Sequence, residues 1–557
     1  MFNFKAVYFY LLAVKITLTN FLKKIYFLTS YYNKSLKTKL PLQLYFYPNP
    51  FLLSSFVNQK NFSFKLSKVN VDTFWSEHAN DKEEEDLNSF FWLNLINRKN
   101  DGLIIQKIIT TWVNNNNKYN KKNWQNLRIS KRVIAWILNT DIILNNADSS
   151  FREKFFNSII KQVNHLKNDL NYENNPLKKI EIISAIILSG LVFKEYNKNF
   201  ELGIKELKKI VEDYFNDDGC PINRNIYDLV QCSKFFILIK ECCKDAQTYI
   251  PDYLDDITDK LVDCLHSITT PNYKSPLFNG ANEFKIDSYL KYLAGLGYRA
   301  HKIKNNVNQI YISKGKNFLL FFDVGSPPRK KISSGYQAGP LSFEYFIDNY
   351  KIITNCGFGN KISKKAEFIS RLTSAQTTLC LNDSSVVRFE RNNLINSAFG
   401  TSIISSFKVF DFNTDENKSS LTISAKHDAY KNSFNCVHKR EIKIDKKNGN
   451  LMGVDSLISI NSNRFFINNY SIRFHLYPGI NAVQTMDKNS VIIQLEKNKS
   501  LVFSANGENI VLEKSIFLGR NQIINNSCIT VSGVLKSHEN KKIHWELKRI
   551  FNNETKN

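Results

Sequence analysis

Residues 309–323, QIYISKGKNFLLFFD, mark the point at which the hydrophobic pattern of this chain changes its period. Before this stretch, apolar residues recur every three or four positions. Within and after it they form short runs rich in β-branched residues, with the period of two that is typical of strands. The sequence therefore predicts a helical half followed by a strand-rich half, and not an alternating α/β sheet.

The helical half extends from about residue 85 to residue 300. In residues 151–167, Phe151, Phe155, Ile159 and Val163 fall on one face, which indicates a helix that faces a core. Short links between successive helices favour antiparallel packing. The same repeat predicts further helices at 180–193, 204–215, 229–243 and 253–268.

The strand-rich half consists of many short runs separated by Gly, Asn and Asp turns, which predicts an antiparallel sandwich. The predicted strands include 309–313, 317–323, 341–347, 421–425, 437–444, 490–495 and 543–551.

Composition narrows the class of protein. The chain has 557 residues, 43% of them hydrophobic, and a formal charge of +25, so it is long enough for several globular domains. The positive charge favours polyanionic partners, although a general enrichment in Lys explains it equally well. No nucleic-acid recognition motif is present, and we expect no nucleic-acid partner. The nine cysteines include no Cys-x-x-Cys pair, which favours buried free thiols over disulfides or a thiolate zinc site.

The N-terminal segment, residues 1–45, has an apolar run from residue 6 to 14 that follows Lys5, and a second run from 25 to 28. Neither run approaches the ~20 residues that span a bilayer. The segment is interpreted either as an ordinary amphipathic first helix, or as a secretory signal or a segment that contacts a membrane surface through its basic residues.

Several short segments, each unspecific alone, share their order and spacing with one known family. They include Pro276-Leu277-Phe278-Asn279-Gly280, the stretch AGPLSFE at 338–344 and the stretch RFHLYP at 473–478, together with 91–93, 124–136, 218–225, 322–325, 355–357, 371–375 and 453–455. From about residue 45 to 550, the chain resembles the heparinase II/III-like polysaccharide lyases, especially their shorter bacterial members.

This resemblance implies an α+β multidomain fold in which an incomplete (α/α) toroid is followed by an antiparallel β-sandwich. We expect the toroid at residues 46–305, the sandwich at 306–557 and a substrate cleft between them. The family cleaves acidic, uronate-containing polysaccharides by β-elimination. Such a reaction needs hydrogen-bond donors that neutralise the uronate carboxylate, and a base such as Tyr or His that reaches the neighbouring carbon.

The catalytic residues of the family match this chain only in part. The neutralising Asn matches Asn174, with Asn175 at the usual His position, although a helix cap before Pro176 is an equal explanation. Arg224 matches well. The catalytic Tyr position falls on Asp228, so Tyr227 is one residue, or about 100° of helix, away from it. A buried aromatic is the alternative for Tyr227.

The family commonly has His-x-His before the stretch LSFE, one His catalytic and the other a metal ligand, whereas this chain has Gly335, Tyr336 and Gln337. The remaining ligand positions of the zinc site in some relatives match Asn355 and Gln376. Three neutral carboxamides are poor zinc ligands, so we expect no cofactor and a metal-free corner. Tyr336 is the second candidate for proton transfer.

Further residues are candidates for substrate binding. Arg371 would either hold a uronate carboxylate or pair with Glu344. His438 and Arg440 share one face of a strand, as do Arg473 and His475, and each pair would line a basic groove or lie on the surface. The predicted substrate-binding set is Asn175, Gln337, Arg371, Gln376, His438 and Arg440.

Two functions follow from the sequence. The first is a lyase acting on an acidic glycan, with Asn174, Arg224, Tyr227 and Tyr336 as catalytic residues. The second is a glycan-binding or envelope polysaccharide-assembly protein that has lost catalysis, which the missing histidines suggest. The compartment stays open between the bacterial periplasm or cell envelope and the cytoplasm, and so does the oligomeric state.

Overall fold

The computed structural model describes residues 4–57, 70–71, 73–75, 81–272, 274–461, 467–496, 499–536 and 539–550. The chain divides into two compact units, which are described separately. Unit 1 comprises Met1–Gly219 and Val230–Leu261, and unit 2 comprises Cys220–Leu229 and Val262–Asn557. Helices come first and antiparallel strands follow, which confirms the predicted α+β order.

Unit 1 is built from helices that pack side by side. Helix α8 contacts both α9 and α5, and α5 also contacts α7. The helices that lie in it wholly or in part are α1 (Phe4–Phe27), α2 (Ser30–Ser35), α3 (Asp81–Ser89), α4 (Gly102–Asn115), α5 (Asn126–Leu138), α6 (Thr140–Ile143), α7 (Ser149–Asp169), α8 (Pro176–Val192), α9 (Asn197–Tyr214), α10 (Ile226–Asp245) and α11 (Asp252–Ser267). Helices α7 to α11 confirm the five predicted from the apolar repeat.

A buried arginine lies within the aromatic core of unit 1. The guanidinium of Arg132 is fully buried and stacks 4.0 Å from the centre of the Trp112 ring. It donates to Gln162 Oε1 at 2.7 Å and to the Asn88 carbonyl at 3.2 Å. Burial lowers the pKa of Arg132 well below its usual value. These contacts replace the hydration that a buried cation loses.

Unit 2 contains three antiparallel sheets. The five-stranded sheet consists of β1 (Asn306–Val307), β2 (Ile310–Lys314), β3 (Phe318–Asp323), β4 (Phe343–Ile347) and β5 (Tyr350–Ile353). The eight-stranded sheet has the order β12 (Asn481–Gln484), β13 (Ser490–Glu496), β14 (Lys499–Ala505), β17 (Lys541–Ile550), β10 (Leu451–Ser459), β9 (Cys436–Asp445), β8 (Ser420–His427) and β7 (Val409–Glu416). The four-stranded sheet has the order β15 (Asn509–Phe517), β16 (Ile524–Lys536), β11 (Ile467–His475) and β6 (Leu379–Leu381).

Short helices complete unit 2: α12 (Asp287–Gly295), α13 (Lys364–Ser370), α14 (Asn393–Phe399) and α15 (Lys431–Phe434). All seven predicted strands are present, as β2, β3, β4, β8, β9, β13 and β17. Residue 551, at which the last predicted strand ends, lies outside the described residues.

One hydrophobic core is shared by the three sheets. Side chains alternate along β8 and β9 between buried and partly exposed, as expected for strands with one face on a core. The four- and five-stranded sheets join where the Thr354 amide donates to the His475 carbonyl at 3.0 Å. Members of the core come from all three sheets, including Phe322, Phe343, Ile442, Phe474 and Trp545.

The cysteines agree with a further expectation from the sequence. All nine cysteines are free and buried, which confirms the predicted thiols. Cys220 and Cys264 Sγ lie 3.4 Å apart as a contact between thiols. In the part of the chain that the structure describes, no helix combines the length and the apolar character needed to cross a bilayer.

Candidate active site

The segment that carries Arg224 is fixed to the end of strand β3. Arg224 is 3% exposed and forms an ion pair with Asp323. Its guanidinium also donates to the carbonyls of Asn308 and Gly325, each at 3.2 Å. A Cβ at Gly325 would lie 2.2 Å from the guanidinium carbon, so only glycine leaves room for it. The donors of Arg224 are thus directed to protein atoms, and the residue positions its neighbours.

Tyr227 follows in the first turn of α10 and is 38% exposed. The alternative considered for this position, a buried aromatic, is therefore wrong. The ring packs edge-on against Phe284, with centroids 5.9 Å apart, and Lys361 Nζ lies 5.9 Å from its centre. Neighbouring Asp228 accepts a hydrogen bond from Asn223 at 2.6 Å. Tyr227 is thus an accessible phenol beside an exposed cation, on a segment that Arg224 fixes.

Asn174 and Asn175 lie in unit 1, immediately before α8, and both are exposed. Asn175 caps the helix, because its Oδ1 accepts from the Lys178 amide at 3.1 Å and Pro176 occupies the first turn. The helix cap considered for this pair therefore falls on Asn175. The Asn174 carboxamide is open to solvent, which keeps it available to a ligand.

Gln337, Asn355 and Gln376 form a buried corner of unit 2, which we call the carboxamide corner. Gln337 and Gln376 both donate through Nε2 to the Ser370 carbonyl at 2.8 Å. Asn355 donates to the Leu277 carbonyl at 3.1 Å. The oxygens of Gln337 and Asn355 accept backbone amides, those of Gly280 and Thr377, at 3.0 Å. The three side chains therefore bond mainly to the main chain and not to one another.

The carboxamide corner does not fit zinc. Zinc takes thiolate, imidazole or carboxylate ligands, and a carboxamide nitrogen that donates a hydrogen bond offers no lone pair. Among the described residues, no three His, Cys, Asp or Glu side chains are grouped so as to hold a metal ion. The donor chemistry of these three side chains therefore gives no reason to place a metal at the carboxamide corner.

Tyr336 and Arg371 are buried beside this corner. Tyr336 is 1% exposed, and its hydroxyl has no hydrogen-bond partner. Burial raises the pKa of Tyr336 far above its usual value, so the hydroxyl stays protonated near neutrality and does not act as a base. Arg371 is fully buried and donates to the carbonyls of Tyr336 and Ser333, each at 2.9 Å. Its guanidinium is thus directed to the main chain and not to a ligand.

Glu344 pairs with Lys351 and not with Arg371. Lys351, on the adjacent strand β5, places Nζ 2.7 Å from Glu344 Oε2. The predicted ion pair between Glu344 and Arg371 is wrong, because the Arg371 guanidinium donates to backbone carbonyls instead. Glu344 also accepts from the amides of Leu277 and Asn355, both at 3.2 Å. Together with Gln337 and Asn355, it fixes the main chain of residues 276–280.

His438 and Arg440 are fully buried, so their predicted position on a surface or in a groove is wrong. Arg440 donates to both carboxylate oxygens of Asp455, at 2.8 and 3.1 Å. His438 Nε2 lies 2.6 Å from Asp455 Oδ1, and Trp545 Nε1 donates to Asp455 Oδ2 at 2.8 Å. Burial opposes the charge of Asp455, yet Arg440 and His438 hold the pKa of its carboxyl below the usual value. The network joins strands β9, β10 and β17.

The same network fixes the protons of two histidines. The Ala429 amide donates to His427 Nδ1 at 3.3 Å, and His427 Nε2 lies 2.9 Å from His438 Nδ1. With Asp455 ionised, each imidazole donates through Nε2 and accepts through Nδ1, so both are neutral and satisfied. Burial lowers the pKa of both residues. These histidines therefore stabilise the β-sandwich, and both nitrogens of each ring are already hydrogen-bonded within it.

Two residues near Tyr227 and Arg224 were not predicted to have a role, namely Asp323 and Lys361. Asp323 ends an apolar strand, and a lone carboxylate at the end of such a strand is the signal for an internal cation partner. Lys361 approaches Tyr227 only through the tertiary fold, and no spacing in the sequence indicates it.

Two family descriptions match this chain. Heparinase II/III N-terminus matches residues 92–298, and Heparinase II/III-like, C-terminal matches residues 295–546. The chain belongs to the heparinase II/III-like family. This membership confirms the resemblance and supports a polysaccharide lyase-type function. No sequence match is found among curated proteins.

Solved structures agree with the family. The heparan sulfate lyase HepC from Pedobacter heparinus is 15% identical, with a TM-score of 0.65 over 89% of this chain and 81% of its own. A heparinase III structure is 14% identical, with a TM-score of 0.66 over 91% of this chain and 85% of its own. At such identity the likeness concerns the fold, and it confirms the predicted (α/α) toroid followed by a β-sandwich.

The unpartnered hydroxyl of Tyr336 leads to a stability prediction. We expect Tyr336→Phe to raise the free energy of unfolding by about 1 kcal/mol, because a buried hydroxyl without a partner is costly. Tyr345→Phe is the matched control, since the Tyr345 hydroxyl is buried and donates to the Gly449 carbonyl at 2.7 Å. It should lower the free energy by a similar amount. Urea unfolding measures both, and equal losses in the two variants would contradict the assignment.

A second prediction concerns pH. Burial lowers the pKa of His475 to about 4. Because the unfolded chain binds this proton near pH ~6.5, stability should fall as the pH drops from that value towards the folded pKa. In His475→Gln the slope of unfolding free energy against pH should be smaller by up to roughly 1.4 kcal/mol per pH unit. His301→Gln, at an exposed position, is the control. Identical slopes in wild type and His475→Gln would refute the prediction.

Proposed function

We propose that this protein cleaves an acidic, uronate-containing glycan by β-elimination. The observation that carries the proposal is the accessible phenol of Tyr227 beside Lys361, on a segment fixed by the pair of Arg224 and Asp323. The formal charge of +25 suits an acidic substrate. A structural relative named as a heparan sulfate lyase acts on a glycan of this class.

In the proposed reaction, Tyr227 as phenolate removes the proton on the carbon beside the uronate carboxylate. The electron pair of that C–H bond forms a double bond to the adjacent carbon, whose bond to the 4-oxygen breaks. The departing oxygen then takes a proton, which the Tyr227 hydroxyl can return. Asn174 would donate to the carboxylate, where negative charge grows in the transition state. The substrate would lie in a cleft between toroid and sandwich.

We infer that this chemistry needs no zinc at the carboxamide corner. There the carboxamides of Gln337, Asn355 and Gln376 fix residues 276–280 and the main chain around Ser370. Their role in the proposal is to shape the site and not to bind the substrate directly.

The second candidate function is glycan binding without catalysis. It is favoured by Gly335, Tyr336 and Gln337, which stand where relatives carry histidines, and by the burial of Tyr336. A binding protein of this kind would retain Lys361 and other surface cations for an acidic glycan.

The test is the absorbance near the ultraviolet edge that an unsaturated uronate produces, followed while the protein is incubated with a panel of acidic glycans. We expect turnover in the wild type and a loss of ~10²-fold or more in kcat for Tyr227→Phe, since the general base is removed. Tyr249→Phe, an exposed tyrosine of unit 1, is the matched control and should keep wild-type turnover.

The outcomes separate the two functions. Full turnover in Tyr227→Phe would exclude this residue as the base. Absence of elimination on every glycan, combined with glycan binding that weakens as salt rises, would establish the binding function instead.

A further inference from the structure

From Val7 to Ile25, the outward face of helix α1 is apolar. Its exposed residues follow alternating spacings of four and three, so they share one side of the helix. Their exposure ranges from 38% to 62%, for Val7, Leu11, Val14, Leu18, Phe21 and Ile25. We call these six residues the apolar stripe. At a rise of ~1.5 Å per residue, the stripe from Val7 to Ile25 is roughly 27 Å long.

The opposite side of α1 is already packed on unit 1. Ala13 is fully buried there, and Lys23 forms an ion pair with Asp169 and lies 4.1 Å from the centre of the Tyr172 ring. Phe27 packs against His165 with ring centroids 5.0 Å apart. The helix is therefore anchored by one face, and the apolar stripe is not the face by which it joins its own unit.

The charge around the stripe indicates what covers it. Residues 1–71 contain no Asp or Glu, and Lys15 and Lys24 are exposed in α1. A soluble monomer rarely presents so large an apolar surface, and a helix with apolar and Lys side chains but no acid suits the interface of an anionic bilayer. The exposed Tyr8, Tyr10 and Tyr26 add amphipathic rings of the kind found at that depth.

We propose that the apolar stripe of α1 docks this protein onto an anionic lipid surface, with the helix lying in the plane of the interface. Lys15 and Lys24 reach the headgroups while the stripe enters the acyl boundary. A second copy of the chain fits less well, because two such helices would bring Lys residues together without any acidic side chain to pair with them.

The test is cosedimentation of the full chain with vesicles of phosphatidylglycerol and phosphatidylcholine, and with vesicles of phosphatidylcholine alone. We expect at least tenfold stronger binding to the anionic vesicles, weakened by salt. Leu11→Glu/Leu18→Glu should lose more than tenfold of this binding. Leu103→Glu, which places the same charge at a 67% exposed leucine of α4, should bind as the wild type does.

A second variant and a measurement of the oligomeric state make the result decisive. The variant Lys15→Gln/Lys24→Gln should lose the preference for anionic vesicles. If circular dichroism shows that the glutamate variant does not fold, this second variant tests the proposal in its place. The proposal is overturned if the wild type binds neither kind of vesicle. It is also overturned if the wild type binds no vesicles and instead forms a dimer, and if the Leu11→Glu/Leu18→Glu substitutions dissociate that dimer.

Discussion

The ion pair of Arg224 and Asp323 is the interaction on which the candidate active site depends. The two residues are 99 positions apart, and both are almost completely buried. A buried pair persists only where hydrogen bonds replace its lost hydration, and the carbonyls of Asn308 and Gly325 supply them here. Because α10 begins two residues after Arg224, the pair also determines where Tyr227 emerges.

The need of buried polar groups for hydrogen-bond partners also explains why Arg371 and Arg440, which were predicted to bind substrate, are bonded to the protein itself. Each buried polar side chain needs hydrogen-bond partners, and both Arg371 and Arg440 find them in backbone carbonyls. At the carboxamide corner, hydrogen bonds from side chains to the main chain hold residues 276–280 and the main chain around Ser370 in place. Accessibility, and not residue type, is therefore the reason for proposing Tyr227 and not Tyr336 as the proton-transfer group.

The sequence predicted the fold well because period and burial are local properties of a segment. The repeat in residues 151–167 and the alternation in 437–444 each appear as the expected helix and strand. Side-chain partners depend on tertiary contacts instead. No sequence pattern distinguishes Lys351 from Arg371 as the partner of Glu344, because the choice depends on the register of β4 and β5. Burial of His438 likewise depends on which face of β9 meets the core.

The most direct measurement of the central claim is hydrogen exchange at the backbone amides of residues 220–229 in Asp323→Asn. This variant keeps the shape of the side chain and removes its charge. If the ion pair fixes the segment that carries Tyr227, exchange there should accelerate about tenfold, equivalent to ~1.4 kcal/mol of local stability. Asp348→Asn, which removes the partly exposed partner of Arg549, should leave this segment unchanged. Unaltered exchange at residues 220–229 in Asp323→Asn would contradict the claim.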